Sequence, residues 1–91
     1  MEILFEEANE RSVALDGGKE IGECTFISSG DKCTINHTFV EPTYEGRGIA
    51  RQLVEKIIDV ARERNQKVAA TCPYVVALFQ KTDKYDDVAV K

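Results

Sequence analysis

The sequence predicts an α+β domain: an antiparallel four-strand meander leading into a βαβ unit, with a C-terminal helix. Three observations predict it. Residues 2–41 read as strand-like runs separated by turn signals, of which Gly17-Gly18 is the strongest. From Gly48 the apolar spacing changes to the helical period. Beyond Asn65 the short run Lys67 to Thr71, with small and branched residues, returns to strand character ahead of Pro73.

Taken in order, Glu2 to Ala8 alternates loosely as the first strand, and Asn9-Glu10 is a turn. Arg11 to Asp16 is the second strand and Lys19 to Ile27 the third, joined through the glycine pair. Ser28-Ser29-Gly30-Asp31 turns into the fourth strand, Lys32 to Glu41, which Pro42 stops. Period-two alternation puts Cys33, Ile35, His37 and Phe39 on one face of that strand. The first helix runs from Gly48 to about Asn65. Its buried stripe is Ile49, Leu53, Ile57 and Ala61, widened by Ala50, Val54 and Ile58, while Gln52, Glu55, Lys56, Asp59 and Glu63 face outward. A strand, a helix and a returning strand imply a right-handed crossover and a parallel pair. Pro73 suits a first helical position, so Tyr74 to Lys81 reads as the second helix. Thr82-Asp83 is a cap signal for one last helical turn.

Ninety-one residues suffice for one small core, so residues 1–91 are expected to form a single domain. No run approaches a membrane span, and MEILFEEANE lacks the basic start and apolar centre of a signal peptide, so a cytoplasmic location is expected. Three cysteines without paired spacing and a single histidine argue against a disulfide framework and against a metal site. A net charge of −4 disfavours nucleic acid, whose backbone is bound through clustered Lys and Arg, and is compatible with a cationic amine.

The most informative stretch is His37 to Ala50, HTFVEPTYEGRGIA, in which a strand, a glycine loop and a helix follow one another. The first turn of a helix leaves backbone N–H groups unpaired, and its partial positive charge favours phosphate. Glycines let a ligand's oxygens approach that backbone. The run Glu45-Gly46-Arg47-Gly48-Ile49-Ala50 resembles the pyrophosphate-binding loop of the GNAT superfamily of acetyl-CoA-dependent N-acetyltransferases, Gln/Arg-x-x-Gly-x-Gly/Ala. Gly48 and Ala50 fit, whereas Glu45 stands where Gln or Arg is usual. The flanking His37-Thr38 and the later Thr71-Cys72 make the likeness closest to the short, single-domain branch, over roughly residues 19 to 88.

The resemblance implies a site for acetyl-CoA built from Val40, Gly46, Arg47, Gly48, Ile49, Ala50 and Arg51, with the backbone N–H groups on the pyrophosphate and both arginines near phosphate. Glu45 would repel phosphate unless it turns to solvent or pairs with Arg47 or Arg51. The family walls its acceptor site with one or two helices between the first two strands. Here only a turn joins them, which implies an open acceptor side, suited to a bulky or flexible amine or to a wall from a partner chain.

Two residues are candidates for catalysis. Cys72 falls at or beside the second helix's N-cap, where the dipole favours thiolate; the competing reading is a small buried strand-end residue. The resemblance places such a cysteine near the acetyl group. His37 lies on one of the two strands that GNAT folds splay around the acetyl-pantetheine arm, where an imidazole can take a proton from an ammonium or from Cys72; a structural histidine is the alternative. The tyrosine that often protonates the departing coenzyme thiolate is absent. Phe79 stands at its position, Tyr74 and Tyr85 are off register, and Tyr74 falls near a common pantetheine-contacting Asn. Cys24 and Cys33 read as core or strand residues.

The expected function is acetyl transfer from acetyl-CoA to an amine acceptor (small molecule, peptide or protein), directly or through acetyl-Cys72. The alternatives are an acyl-CoA-binding or protein-interaction module on the same fold, and a structural domain without ligand. A monomer or a homodimer fits, with exposed meander edges giving a dimer somewhere to form.

Overall fold

The computed structural model describes residues 1–90. Strands β1 (Glu2–Glu6), β2 (Arg11–Asp16), β3 (Lys19–Ser29), β4 (Lys32–Val40) and β5 (Lys67–Ala70) form one sheet in that order. The first four pair antiparallel, and β5 lies parallel to β4. Helix α1 (Ile49–Glu63) links β4 to β5, and α2 (Pro73–Lys81) follows. This is the α+β arrangement that the sequence predicts. Gly17 and Gly18 take φ of 58° and 85°, the left-handed pair that a two-residue hairpin requires. No helix among the described residues is long and apolar enough to cross a membrane.

The boundaries differ from expectation by a residue or two. The β1–β2 turn opens at Glu7, whose carbonyl accepts the Glu10 N–H (3.2 Å), so β1 ends before Ala8. Thr82 Oγ1 accepts the Lys84 N–H (3.2 Å), as a cap would, and the turns that follow include one helical bond, from the Ala89 N–H to the Tyr85 carbonyl (2.8 Å). The chain then runs along the free edge of β5, where Val68 N–H donates to Val88 and Val90 N–H to Val68, both at 2.8 Å.

The apolar stripe of α1 dictates the packing. Leu53, Val54, Ile57, Ile58 and Ala61 are buried against Ala14, Cys24, Phe26, Ile35 and Val68 of the sheet. Val75, Leu78 and Phe79 of α2 join the same core, as do Tyr85 and Val88. The buried Ser12 hydroxyl donates to the Leu53 carbonyl (2.8 Å), tying β2 to the middle of α1. On the opposite face the register row Leu4, Val13, Glu23, Phe39 crosses four strands, and Ile27 lies two pairs along from Glu23. Leu4, Ile27 and Phe39 there are 41%, 56% and 49% exposed, so this face of the sheet is uncovered.

One irregularity in β4 overturns a sequence expectation. Thr25 pairs with His37 and Phe26 with Ile35, which leaves Asn36 as an extra residue. Such a bulge reverses the alternation beyond it. Cys33 and Ile35 face the core, but His37 and Phe39 turn to the uncovered face, while Thr38 and Val40 turn inward and are half-buried. The expected common face of Cys33, Ile35, His37 and Phe39 is therefore split at Asn36.

Truncating the centre of the helix–sheet interface, Leu53→Ala, is expected to cost about 2–5 kcal/mol in urea unfolding. Ser12→Ala, which removes one buried hydrogen bond, is expected to cost about 1 kcal/mol.

Candidate functional site

Beyond Val40 the chain makes a single 3₁₀ turn, Pro42–Tyr44. The Tyr44 hydroxyl donates to Asp16 Oδ2 (2.6 Å), which pins the loop to the end of β2 and pushes the phenol's pKa up. Gly46 and Gly48 follow with φ of 80° and 75°, left-handed values that other residues adopt at a cost. No side chain caps α1, and Gln52 N–H makes a bond back to the Gly48 carbonyl (3.2 Å). The N–H groups of Ile49, Ala50 and Arg51 thus precede the hydrogen-bonded body of the helix. An added Cβ at Gly46 or Gly48 would have no protein atom within 4 Å, so the space beside both is open.

That space belongs to a cleft of about 200 Å³ lined by Val40, Gly46, Gly48, Ile49, Ala50 and Arg51, together with Tyr44, Glu45 and Tyr74. The sequence-predicted coenzyme residues therefore share one cleft, with one exception. Arg47 lies outside its lining, with the guanidinium 5.1 Å from the centre of the Tyr44 ring. Glu45 lines the cleft and has no ion pair among the described residues. The backbone, not a pair of arginine side chains, is what this loop offers an anion.

Val40, in the wall of this cleft, belongs to the stretch of β4 that runs on beyond the end of β5. Their register ends at Ile35 opposite Ala70. Past it, the N–H groups of Thr71 and Cys72 both reach back to the Ile35 carbonyl, at 3.0 and 3.3 Å. Residues 36–40 of β4 have no β5 partner, because β5 ends at Ala70. Cys72 is the N-cap residue of α2, as expected, yet its sulfur makes no capping bond to the helix. Its S–H instead donates to Thr38 Oγ1 (3.5 Å), and that hydroxyl donates to Cys24 Sγ (3.5 Å). Cys72 is 5% exposed. His37 is not brought to it, since the Asn36 bulge sends the imidazole to the other face of the sheet, where it is exposed. Past the end of β5, Thr38 and Cys72 thus lie on the helix side of β4 and His37 on its open side.

Burial pushes the Cys24 thiol up to about 12 and the Cys33 thiol up to about 11. Both are core thiols, matching their sequence reading.

Besides Tyr44 and Glu45, further residues outside the sequence-predicted set border the site or hold Arg51 in it. Tyr74 lines the glycine-loop cleft and a second cleft beside it, with its phenol pushed up by burial. Arg51 also lines both, and its Nε–H donates to the Tyr85 hydroxyl (3.2 Å). That hydroxyl in turn donates to Glu55 Oε2 (2.5 Å), which also accepts from Lys84 Nζ (2.9 Å). The Tyr85 and Lys84 bonds hold the Glu55 carboxyl below its usual range. Tyr85 is buried against Phe79, ring centres 5.8 Å apart, which accounts for a phenylalanine where the hydroxyl is usual. The Arg51–Glu55 spacing of four was legible as a helical ion pair (3.5 Å), but nothing local pointed to Tyr85.

A glycine loop at a helix N-terminus, entered from the longer of two parallel strands, is the arrangement that the GNAT resemblance implies. The chain belongs to the GCN5-related N-acetyl-transferase family, whose sequence profile matches residues 11–88. The solution structure of a GCN5-like protein from Staphylococcus aureus superposes with a TM-score of 0.76 at 27% identity, covering 98% of this chain and 87% of that one. Rv2747 from Mycobacterium tuberculosis, solved with CoA, gives a TM-score of 0.58 at 28% identity over 65% of this chain and 39% of its own. The uncharacterized N-acetyltransferase MJ1207 of Methanocaldococcus jannaschii is 34% identical over 58 residues, 56% of this chain. The chain spans only about a quarter (26%) of that relative's length.

Because all three thiols are buried, a thiol-reactive chromogenic disulfide at pH 8 is expected to label the native protein slowly and the denatured protein rapidly at three equivalents. Rapid single-site labelling of native protein, mapped to Cys72, would contradict the Thr38-bound geometry.

Proposed function

We propose that this chain is an acetyl-CoA-dependent N-acetyltransferase that delivers the acetyl group directly to a primary amine. One observation carries the reading: the open cleft beside the left-handed glycines is walled by Val40, on the stretch of β4 that continues past the end of β5. The backbone N–H groups of Ile49, Ala50 and Arg51 would hold the coenzyme's pyrophosphate, since the cleft beside Gly46 and Gly48 is open to them. Val40, in the same cleft, would border the pantetheine arm. Bound acetyl-CoA supplies an activated acetyl thioester.

The amine approaches the thioester from the uncovered face of the sheet. His37 stands on that face and takes the proton of the incoming ammonium, so that the nitrogen lone pair is free to attack. No acid is required for the leaving group, because a thiol of pKa about 8.5 departs readily as thiolate near neutral pH. The uncovered face, with no helix over Leu4, Ile27 and Phe39, admits an acceptor larger than a free metabolite.

Cys72 fits the direct route better as a wall than as a nucleophile. Its sulfur donates to a hydroxyl that itself donates to a second thiol, and neither neighbour is a base able to take its proton. A second reading, a coenzyme-binding module without turnover, is favoured by the Glu45 carboxylate in the cleft and by the absence of a hydroxyl on Phe79.

Calorimetric titration with acetyl-CoA is expected to give a one-to-one isotherm that is lost in Gly48→Glu, where a side chain and a carboxylate enter the loop. With a panel of amines, His37→Gln is expected to lower kcat by about 100-fold or more at unchanged coenzyme affinity. Cys72→Ala is expected to keep most of the turnover. Loss of turnover in Cys72→Ala, with an acetyl adduct on wild-type Cys72 by intact mass, would replace direct transfer by the covalent route. Coenzyme binding without turnover on any amine would leave the binding module.

A further inference from the structure

On the uncovered side of the sheet Val13 is only 1% exposed, although it stands apart from the core that both helices share. What covers it is a layer of ion pairs. Arg11, two residues earlier on the same face, donates from Nη1 to Glu23 Oε1 and to Glu20 Oε2, both at 2.9 Å. Its Nη2 donates to Glu20 Oε1 (3.0 Å) and its Nε to Glu6 Oε1 (2.7 Å). Glu23 is the register partner of Val13 and Glu20 that of Leu15, so the guanidinium lies along the strand above Val13. Alternation puts Glu2 on this face as well. One cation thus stands among four carboxylates. Lys32 and Lys67, also on this face, are register partners at the far end of the sheet. The excess negative charge is therefore concentrated beside His37 and Phe39, the register partners of Thr25 and Glu23.

We propose that this face docks a basic segment of another polypeptide, which carries the acceptor amine, with Glu23 and Phe39 meeting its cationic and apolar side chains beside His37. The proposal rests on the transfer reading above and names the class of its acceptor. A lysine nitrogen of that segment forms the amide bond as the thioester C–S bond breaks. Of the two protons the ammonium gives up, one passes to His37 and the other to solvent, and the coenzyme leaves as thiolate.

Size and charge both select such a partner. The row from Leu4 through Val13 and Glu23 to Phe39 crosses three strand spacings, about 14 Å, which is further than a free monoamine reaches. Leu4 and Phe39, exposed at its two ends, call for apolar contact, and the carboxylates around them call for cations. Covering Val13 and neutralising Arg11 would need a single carboxylate, yet three are paired with that arginine. Glu23 Oε2 and Glu6 Oε2 accept no hydrogen bond among the described residues, so each keeps an oxygen for an incoming donor. Arg11 meanwhile fixes both side chains, which lowers the entropy lost on docking. Nucleic acid and anionic bilayers are repelled by the same charge, and so is a second copy of this chain, itself acidic at −4.

The test measures initial rates with acetyl-CoA on N-terminally blocked peptides, each with one lysine flanked by arginines, by alanines or by glutamates, and on spermidine as a free polyamine. Wild type is expected to turn over the arginine-flanked peptide with a kcat/KM about tenfold or more above the alanine-flanked one. That preference is expected to shrink at about 0.5 M salt. Glu23→Gln leaves Arg11 paired with Glu6 and Glu20, and is expected to raise KM for the arginine-flanked peptide about threefold at unchanged kcat. Glu63→Gln makes the same change of charge on α1 and is expected to leave KM unmoved. Phe39→Ser, at a half-exposed position, tests the same surface should the Glu23 variant fold poorly, with an expected rise in KM of about fivefold. Equal rates on the three peptides overturn the docking surface and leave the transfer reading standing. Spermidine turned over faster than every peptide, with Glu23→Gln and Phe39→Ser silent, does the same. Equal effects of Glu23→Gln and Glu63→Gln also overturn it, because net charge alone then accounts for the preference. No turnover of any acceptor, with acetyl-CoA bound in calorimetry, overturns the docking surface together with the transfer reading.

Discussion

The stripe Leu53, Val54, Ile57 and Ile58 must lie against the sheet, and its burial fixes where the two ends of α1 fall. At about 1.5–3 kcal/mol for each fully buried aliphatic side chain, these four together contribute about 6–12 kcal/mol before chain entropy is subtracted. That rivals the whole net stability of an ordinary domain, about 5–15 kcal/mol. The helix therefore cannot slide to suit a ligand. Its first turn is presented at a fixed height beside the end of β4, and the left-handed glycines 46 and 48 are the means by which the chain arrives there. The unpaired N–H groups of that turn are positioned by core packing, with no further side chain required.

Electrostatics divide the groove into two halves. In the first, backbone N–H groups and Arg51 stand beside a carboxylate at position 45. In the second, Arg51 and Lys81 supply full charges. Arg51 belongs to both halves, and its position is set by a tyrosine 34 residues away in the C-terminal turns. Those turns are further bound to α1 through Arg62, whose Nε and terminal nitrogen meet Asp87 at 2.9 and 3.0 Å. The last segment of the chain thus acts on the groove through α1 without lining the glycine loop.

What could be seen in the sequence was whatever has a local signature. The glycine pair at 17 and 18, the loop at 46 and 48, the 3.6-residue period of α1 and the proline at the start of α2 each constrain backbone conformation within a few residues. The Asn36 bulge has none. An inserted residue leaves β4's composition and apparent alternation intact and shows itself only in register with β3, which is why His37 and Thr38 exchange faces relative to expectation. The Arg51–Tyr85–Glu55 arrangement is likewise tertiary, joining α1 to a segment whose expected form was a helical turn. Cys72 was placed correctly at the N-cap, but a cap position in sequence does not say where the sulfur points; the packing of Thr38 decides that.

The uncovered face of the sheet separates two kinds of mutational freedom. Both helices load the core on one side only, so replacing Leu4, Ile27 or Phe39 removes little buried surface, whereas any change along the α1 stripe is felt throughout the fold. Residues on the open side can therefore diverge without passing through unstable intermediates. A lineage built on this chain is free to change its open face while the groove at the start of α1, made largely of backbone and core, stays the same.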